Sequence, residues 1–254
     1  MSDSLTPKKP FFKTFFGILT LIILSLLGLA LLIFASLFGY YLWAQKFASP
    51  DTQKKLAEQY TPSFTKAPGL GGTATQTDKN VAAFIRTHNP TLGGTEEAPI
   101  TIVAFIDFEC PYSKKSYPIF DHILKKYGPT VRVVFKNFPI TAINQNAMPA
   151  ALAGACAQEQ NKFWPYYNSI FTEPLLSAEI INLEANKLKL DTQKFSLCIK
   201  NQTYNKNVNE DFQDGIALGV QGTPTYFVNQ QKVEGVLDIA GWDQVLIKEI
   251  QKKK

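Results

Sequence analysis

Apolar positions in the middle of the chain predict a strand, a helix and a second strand. Residues 100–108, ITIVAFIDF, form a nearly continuous run of β-branched and aromatic side chains, which is typical of a strand buried on both faces. Apolar side chains then recur with helical spacing, at Phe120, Ile123, Leu124 and Tyr127. The Gly-Pro pair at 128–129 predicts the end of this helix, and residues 130–138, TVRVVFKNF, predict the second strand. Because the three elements follow one another closely, a right-handed crossover should make the two strands parallel.

The rest of the pattern predicts a helical insertion, a hairpin and a last helix. The segment at about 140–220 is helical in texture. Residues 223–238 predict two strands with a tight turn near Asn229, and the segment that follows them predicts a helix. Before the core, residues 78–88 predict a short helix and residues 89–99 a loop. The predicted fold class is therefore α/β with a helical insertion.

An uncharged apolar segment near the N-terminus predicts a single-pass membrane anchor. Residues 14–45 contain no Asp, Glu, Lys or Arg, and a transmembrane helix needs about 20 apolar residues. A cleaved signal peptide is the alternative, but its apolar region is shorter and ends at a small-x-small site, which does not stand out here. Three lysines lie within residues 1–13 and Lys46 alone follows the segment closely, so the positive-inside rule predicts that residues 1–13 are cytoplasmic.

Composition divides the remaining chain into a tether and a domain. Residues 46–84 are rich in Pro, Gly, Thr and Ser, which predicts a flexible tether, and residues 85–254 would form an extracytoplasmic domain at the cell membrane. The formal net charge of +5 lies at the two ends, because residues 1–46 hold four lysines and one aspartate and the last three residues are lysines. The domain itself is close to neutral, which argues against a nucleic-acid partner.

Three cysteines, Cys110, Cys156 and Cys198, carry the candidate chemistry. Disulfides persist outside the cytoplasm, but with three cysteines at most two pair within the chain. Cys110 follows the first predicted strand and precedes the predicted helix, and functional groups of open α/β sheets gather at such strand ends. The N–H groups and dipole of a helix N-terminus stabilise a thiolate, which is the reactive form of cysteine. An ordinary buried cysteine is the alternative interpretation.

Other kinds of site have little support in the sequence. His88 and His122 are too few and too scattered for a metal site, and they form no recognisable cysteine-hydrolase arrangement with Cys110. The Gly-rich stretch at 69–72 lies in the predicted tether rather than between a strand and a helix. Neither a metal nor a cofactor is therefore expected.

Two stretches resemble the DsbA-like thiol-disulfide oxidoreductases, a branch of the thioredoxin fold. Residues 101–120, TIVAFIDFECPYSKKSYPIF, resemble the family's apolar strand followed by Asp-Phe, one residue and Cys-Pro-aromatic-Cys. Residues 219–230, GVQGTPTYFVNQ, resemble the family's Gly-Val-x-Gly-Thr-Pro-Thr segment. The likeness covers about residues 85–250 and implies a thioredoxin fold with a helical insertion.

The resemblance implies a role for each matching residue. Cys110 would be the attacking thiolate, within an active-site motif completed by Pro111, Tyr112 and Ser113. Pro224 would be a cis-proline, as X-Pro bonds allow, and Thr223 would bind a substrate peptide through its backbone. A trans Pro224 in an ordinary turn is the alternative.

The resemblance also implies a structural disulfide between Cys156 and Cys198 in the insertion. In the chain-entropy model such a bridge stabilises the fold by roughly 3 to 4 kcal/mol. Two free buried cysteines are the alternative.

Two positions depart from the family pattern. The second active-site cysteine is replaced by Ser113, and a hydroxyl cannot resolve a mixed disulfide. The buried acid that relatives commonly carry six residues before the first cysteine is replaced by Ala104. The two changes are consistent with each other, because a buried carboxylate is unfavourable once the thiol that it serves is gone. Asp107, three residues before Cys110, is expected to serve the turn between strand and helix.

Three functions remain open at this point. In the first, Cys110 performs disulfide isomerisation or monothiol exchange on protein thiols and disulfides, with resolution by an outside thiol from an unknown redox partner. In the second, the domain is a redox-inactive peptide-binding or chaperone module. In the third, Cys110 forms a lasting intermolecular disulfide, for example in a Cys110-linked dimer. Retention of Cys110, Thr223 and Pro224 favours the first, an enzyme-like function.

Overall fold

The computed structural model describes residues 72–252 and, nearer the N-terminus, residues 23, 26–28, 31, 34, 36 and 38. The chain divides into two compact units, residues 1–56 and 57–254. In the first unit the described residues are helical. Among the residues described, no helix combines the length and the apolar character needed to cross a membrane. The predicted cytoplasmic segment and most of the predicted anchor at 14–45 lie outside the described residues and stay predictions.

The part of the chain that the structure describes contains one sheet of six strands in the order β1-β6-β5-β3-β4-β2. Their bounds are β1 Thr73–Gln76, β2 Thr91–Gly93, β3 Ile100–Ile106, β4 Val131–Asn137, β5 Thr225–Val228 and β6 Gln231–Glu234. Strand β3 runs parallel to β4 and antiparallel to β5. The predicted parallel pair is therefore confirmed, as is the hairpin, in which Asn229 takes a positive φ of 53° at the turn.

Within residues 72–252 the α-helices are α1 Pro111–Tyr127, α2 Ala147–Glu159, α3 Phe163–Thr172, α4 Ala178–Lys187, α5 Thr192–Lys200, α6 Asn205–Ala217 and α7 Ile239–Gln251. Helices α2 to α6 form the predicted insertion between β4 and β5. Helix α1 ends at Gly128, as the sequence predicts. Two short 3₁₀ helices, Val81–Phe84 and Gly128–Thr130, complete the connections. The α/β fold with its helical insertion agrees with the prediction.

Strand β3 is buried on both faces, as its continuous apolar run predicts. Ile102, Ala104 and Ile106 belong to the larger core, which also contains buried residues of α1, α2, α3 and α7. Val103 and Phe105 point to the opposite face and pack in a second cluster that includes Val81 and Leu218. Alternation of side chains along the strand thus supplies both cores at once.

Glycine at 215 allows α6 to approach the sheet closely. A Cβ atom at Gly215 would lie 2.6 Å from the ring of Phe138 and 3.1 Å from that of Phe105. Any side chain here would push α6 away from the end of β4, so the close packing of this helix depends on the glycine.

The sequence prediction was wrong at both edges of the sheet. Strand β1 lies within the segment predicted as tether, 46–84, and β2 lies within the predicted loop 89–99. The helix predicted at 78–88 is a 3₁₀ turn of four residues. Strand β1 pairs with β6 and β2 with β4. These short edge strands are held by backbone hydrogen bonds to their neighbours, which require no apolar alternation in the strand itself.

A disulfide joins Cys156 of α2 to Cys198 of α5, the pair that the resemblance implies. The two Cα atoms are 6.0 Å apart and the residues are separated by 42 positions. Both cysteines are buried in the larger core. The bridge therefore ties together two helices of the insertion, and Cys110 is left as the free cysteine.

Buried charges hold α6 to the end of β4. The ammonium group of Lys136, which is fully buried, lies 3.1 Å from an Asp211 carboxylate oxygen and 2.7 Å from one of Asp214. Arg86 donates two hydrogen bonds of 2.6 Å to Asp214. We call Arg86, Lys136, Asp211 and Asp214 the ion cluster. Its charges compensate one another, which is the condition under which buried charges are tolerated.

Asp211 is the most heavily bonded member of the ion cluster. It also accepts hydrogen bonds from Asn89 and from the backbone and side chain of Asn137, and it contacts His88 at 3.1 Å. Burial alone would raise the pKa of Asp211, but the hydrogen bonds from His88, Asn137 and Asn89 and the charge of Lys136 together outweigh burial and lower the pKa. The carboxylate is therefore stabilised in its charged form.

We expect removal of the disulfide between Cys156 and Cys198 to lower the free energy of unfolding by roughly 3 to 4 kcal/mol, because the unfolded chain then regains the entropy of an open loop. Urea unfolding of the C156A/C198A variant, compared with the native protein, measures this loss. In the unfolded, non-reduced native protein, alkylation should reach Cys110 and spare the other two cysteines. Alkylation of all three would show that the bridge is absent.

Replacement of Lys136 by Met should cost about 3–5 kcal/mol of unfolding free energy, because it leaves buried carboxylates without their cation. K125M is the matched control, since Lys125 pairs with Asp121 at the surface, where an ion pair is screened by solvent and should contribute little to stability. Since the pKa of Asp211 is lowered, its stabilisation is present above about pH 4 and is lost as the pH falls further. K136M should lose less stability than the native protein over that acidic range. Equal losses in K136M and K125M at neutral pH would contradict the assignment.

Candidate active site

Cys110 occupies the N-cap of α1, directly after β3. Its backbone N–H donates to the carbonyl of Asp107 at 3.2 Å, and its own carbonyl accepts from the N–H of Lys114 at 3.0 Å. Pro111 takes the first helical position, where its missing N–H costs no hydrogen bond. The Cys110 residue is 7% exposed. The local sequence thus forms a tight strand-to-helix turn that places a nearly buried thiol at the end of the central strand.

The carboxylate of Asp107 holds this turn together, as the sequence predicts. It accepts hydrogen bonds from the backbone N–H of Glu109 at 2.8 Å and of Ile140 at 2.9 Å, and from the side chain of Asn144 at 2.7 Å. Burial raises the pKa of Asp107, and these three bonds oppose the rise without cancelling it. Asp107 therefore connects the turn before Cys110 to the loop that follows β4.

Glu109 makes a second connection to the insertion. Its carboxylate accepts from the backbone N–H of Asn146 at 2.5 Å and from the Asn146 side chain at 2.8 Å. Asn146 in turn donates to the carbonyl of Leu176 at 3.1 Å, and the Lys114 ammonium donates to the carbonyl of Glu173. The position of Cys110 therefore depends on loops of the insertion that are remote in sequence.

Sequence reasoning did not identify Glu109, Asn144 or Asn146 as part of the site. The available signal was that Asn144 and Asn146 follow the second predicted strand, at the same end of the parallel pair as Cys110. Polar side chains at that end are candidates for contacts with the strand-to-helix turn.

Thr223 and Pro224 lie against Cys110 although they are far from it in sequence. The peptide bond between them is cis, as the resemblance implies. The sulfur of Cys110 donates a hydrogen bond to the carbonyl of Thr223 at 3.1 Å, across 113 positions of the chain. Strand β5 begins one residue after Pro224 and pairs Thr225 with Phe105 of β3, which brings the two segments together.

The remaining motif residues differ in their surroundings. Tyr112 is 43% exposed beside Cys110, whereas Ser113 is buried at 2% exposure. Within the described part of the chain the Ser113 hydroxyl has no hydrogen-bond partner. Ser113 therefore makes no hydrogen bond to the sulfur, whose own hydrogen bond goes to the carbonyl of Thr223. The helix N-terminus likewise makes no hydrogen bond to the side chain of Cys110.

Two further hydroxyls, unnoticed in the sequence, lie on the inner side of α1. Ser116 and Tyr226 are hydrogen-bonded at 2.8 Å, and both are completely or almost completely buried. Tyr226 pairs across the sheet with Ala104, the position at which relatives commonly carry a buried acid. The signal for this pair would have been a tyrosine inside an otherwise apolar strand.

Comparison with known families agrees with this geometry. A family model described as Thioredoxin matches residues 86–248, which is more than half of the chain. The chain belongs to the thioredoxin family. Its order of strand, helix and strand, helical insertion, hairpin and helix is the one that the resemblance implies.

Solved structures share the fold of this thioredoxin-family protein at low identity. Oxidised BdbD from Bacillus subtilis is 22% identical with a TM-score of 0.59, covering 70% of this chain and 98% of that one. The thiol-disulfide exchange protein alpha-DsbA2 from Wolbachia pipientis is 18% identical with a TM-score of 0.58, covering 82% and 98%. At such identities the likeness shows the fold alone.

A curated relative is much longer than this thioredoxin-family protein. The Na(+)/H(+) antiporter NhaA 3 from Salinispora tropica is 32% identical over 148 residues, which are 58% of this chain and 22% of the antiporter. The chain thus spans about a fifth of the length of the curated relatives that it matches.

Asp107→Asn should change how stability depends on pH. Because the pKa of Asp107 is raised, the folded state holds this proton more tightly than the unfolded state does. The unfolding free energy of the native protein should therefore fall, relative to that of D107N, as the pH rises above about 4. The fall should be about 1.4 kcal/mol for every tenfold difference in proton affinity between the folded and unfolded states. Urea unfolding of both proteins across the acidic to neutral range measures the difference. If the unfolding free energy of the native protein minus that of D107N stays constant or rises with pH, the pKa of Asp107 is not raised.

Proposed function

We propose that this protein carries out thiol-disulfide exchange on protein substrates through Cys110 alone, outside the cytoplasm, anchored by residues 14–45. The contact between the Cys110 thiol and the Thr223 carbonyl, within a thioredoxin-family domain, carries the proposal. This contact puts a single thiol at a helix N-terminus next to backbone groups that a peptide can use. The activity is disulfide isomerisation or monothiol exchange rather than net oxidation of dithiols.

The lack of a second reactive thiol in the sequence determines the chemistry. The Cys110 thiolate attacks one sulfur of a substrate disulfide, a mixed disulfide forms, and the other substrate sulfur leaves as a thiolate. Ser113 cannot attack this intermediate, and Cys156 and Cys198 are already bonded to each other. A thiolate from the substrate or from a small molecule must therefore release Cys110. The exchange conserves the number of disulfides, as isomerisation requires.

The Thr223 carbonyl links the protonation of Cys110 to substrate binding. While the thiol is protonated, it occupies this carbonyl through its S–H group. Loss of the proton removes the donor, and the carbonyl becomes available to the N–H of an extended peptide beside the mixed disulfide. Loss of the Cys110 proton thus both activates the nucleophile and frees the Thr223 carbonyl for a peptide.

Two features support an extracytoplasmic location. The bridge between Cys156 and Cys198 is of a kind that persists outside the cytoplasm. The lysines before residues 14–45 favour a cytoplasmic N-terminus, which would put the domain on the other side of the membrane. The structural neighbour from Wolbachia pipientis is named as a thiol-disulfide exchange protein, which supports exchange as the proposed activity.

Low exposure of Cys110 argues against a Cys110-linked dimer. Each sulfur is largely covered, and two folded copies would have to bring both sulfurs to bonding distance at once. A flexible peptide reaches a recessed thiol more easily than a second folded domain does. The structure gives no comparable argument against a peptide-binding module without redox chemistry. Such a module and an exchange protein differ in whether Cys110 reacts with a disulfide.

Oxidised glutathione should modify Cys110 in the full-length native protein, purified in detergent, and an added monothiol should reverse the modification. Mass spectrometry without reductant measures both steps, and C110S is the blank. S113C should acquire a disulfide between residues 110 and 113 and oxidise a dithiol peptide, which the native protein should not do.

Each contrary result identifies one of the other functions. A native Cys110 that stays unmodified, together with retained binding of unfolded peptides, would replace exchange by peptide binding. A dimer on a non-reducing gel that disappears in C110S would instead show a lasting intermolecular disulfide.

A further inference from the structure

A row of small polar side chains lies on the buried face of α1. Cys110, Ser113 and Ser116 are spaced by three residues, so they follow one another along one side of the helix. Their exposures are 7%, 2% and 0%. The same face continues into the core with Phe120. The hydroxyls therefore lead from the reactive sulfur toward the interior of the domain, where water does not reach.

This row holds hydrogen-bond donors that the described structure does not use. Ser116 and Tyr226 bond to each other at 2.8 Å, with either hydroxyl as the donor. Two hydroxyls joined by one bond hold two protons and use one, so one O–H remains to be donated whichever way the bond points. The Ser113 hydroxyl, midway between Cys110 and Ser116, has no partner among the described residues. A buried hydroxyl without a partner is unfavourable, and such exceptions call for an explanation.

Tyr226 is fixed in place and responds to the charge of Cys110. Its ring packs against Phe120 and Trp242, each with centroids 4.9 Å away. Burial raises its pKa, the bond with Ser116 lowers it, and negative charge on Cys110 raises it again. The net pKa lies above the ordinary value, so the phenol keeps its proton and acts as a hydrogen-bond donor rather than as an acid.

We propose that Ser116 and Tyr226 are positioning residues that, through the hydroxyl of Ser113, stabilise the Cys110 thiolate when it is released from a mixed disulfide. In the structure the sulfur donates to the carbonyl of Thr223. Once it is a thiolate it becomes an acceptor, and the unused donors of the row can turn to it. This inference rests on the proposed exchange function.

The step itself is a thiol-disulfide exchange. A thiolate from outside attacks the substrate sulfur of the mixed disulfide, and a new S–S bond forms between those two atoms. The bond between the substrate and Cys110 breaks, and its electron pair stays on Cys110. No proton is transferred, because the hydroxyls only donate hydrogen bonds. The hydroxyls replace water for an anion that forms at a largely buried atom, in the way that preorganised donors stabilise a developing charge.

The test compares three variants of the full-length protein that each remove one hydroxyl. Y226F and S116A delete hydroxyls of the row. Y166F is the control, because Tyr166 is equally buried in the core but its hydroxyl has no partner among the described residues and is not part of the row. Each protein is converted to the Cys110-glutathione mixed disulfide, and a monothiol then releases it. The release rate and the equilibrium constant of the exchange are measured by mass spectrometry. Urea unfolding verifies that each variant is folded.

Y226F and S116A should release Cys110 about tenfold more slowly than the native protein and shift the equilibrium toward the mixed disulfide, as loss of a hydrogen bond to a charged group predicts. Y166F should change neither quantity, and S116T, which restores the hydroxyl, should recover the native rate. If Y226F and S116A behave like Y166F while the native protein exchanges normally, the row has no such role and this inference is overturned. If the native Cys110 forms no mixed disulfide at all, the proposed function itself fails and the inference falls with it.

Discussion

The pairing of β5 with β3 is the constraint on which the site depends. Strand β3 delivers Cys110 at its end, and β5 delivers Thr223 and Pro224 just before its start, so the ladder that aligns Thr225 with Phe105 also aligns the thiol with its carbonyl partner. Helix α6 leads into this segment and is itself held by the ion cluster and by its close approach at Gly215. Packing of α6 against one face of the sheet therefore helps to fix the position of Thr223 relative to Cys110 at the end of β3.

The ion cluster and the surroundings of Cys110 differ in how a charge is compensated. In the ion cluster, the charge of Lys136 is buried with those of Asp211 and Asp214, and Arg86 pairs with Asp214 from the surface, so the charges compensate one another and keep α6 in place. The sulfur of Cys110 has the Thr223 carbonyl as its hydrogen-bond partner, and the ammonium of Lys114 is bonded to a carbonyl of the insertion. In the proposed exchange, an anion formed at the sulfur would be stabilised by dipoles rather than by a fixed cation. Dipoles can reorient when the sulfur changes from donor to acceptor, whereas a fixed countercharge would favour one state permanently.

Elements that are buried could be predicted from the sequence, because burial imposes a pattern on side chains. Strands β3 and β4, the ends of α1 and the hairpin follow directly from apolar runs and Gly-Pro punctuation. Strands β1 and β2 could not be predicted, since edge strands form by backbone pairing with a neighbour that is distant in sequence. The motif around Cys110 identified the thiol and its turn, but it carried no information on Asn144, Asn146 or Tyr226. Lys136 was likewise hidden, because a lysine within a strand acquires meaning only when Asp214, 78 positions away, is placed beside it.

The distance in sequence between Cys110 and Thr223 also has a consequence for biosynthesis. A ribosome completes Cys110 before either bridge cysteine and 113 residues before Thr223. In the export that we propose, Cys110 and Cys156 would for a time be the two cysteines present, and in an oxidising compartment they would be the one pair that can react. The correct bridge becomes possible with Cys198, and the carbonyl that receives the Cys110 thiol arrives later still. The finished fold separates a structural pair from a reactive thiol, but the nascent chain has to reach that separation in an order that the sequence itself imposes.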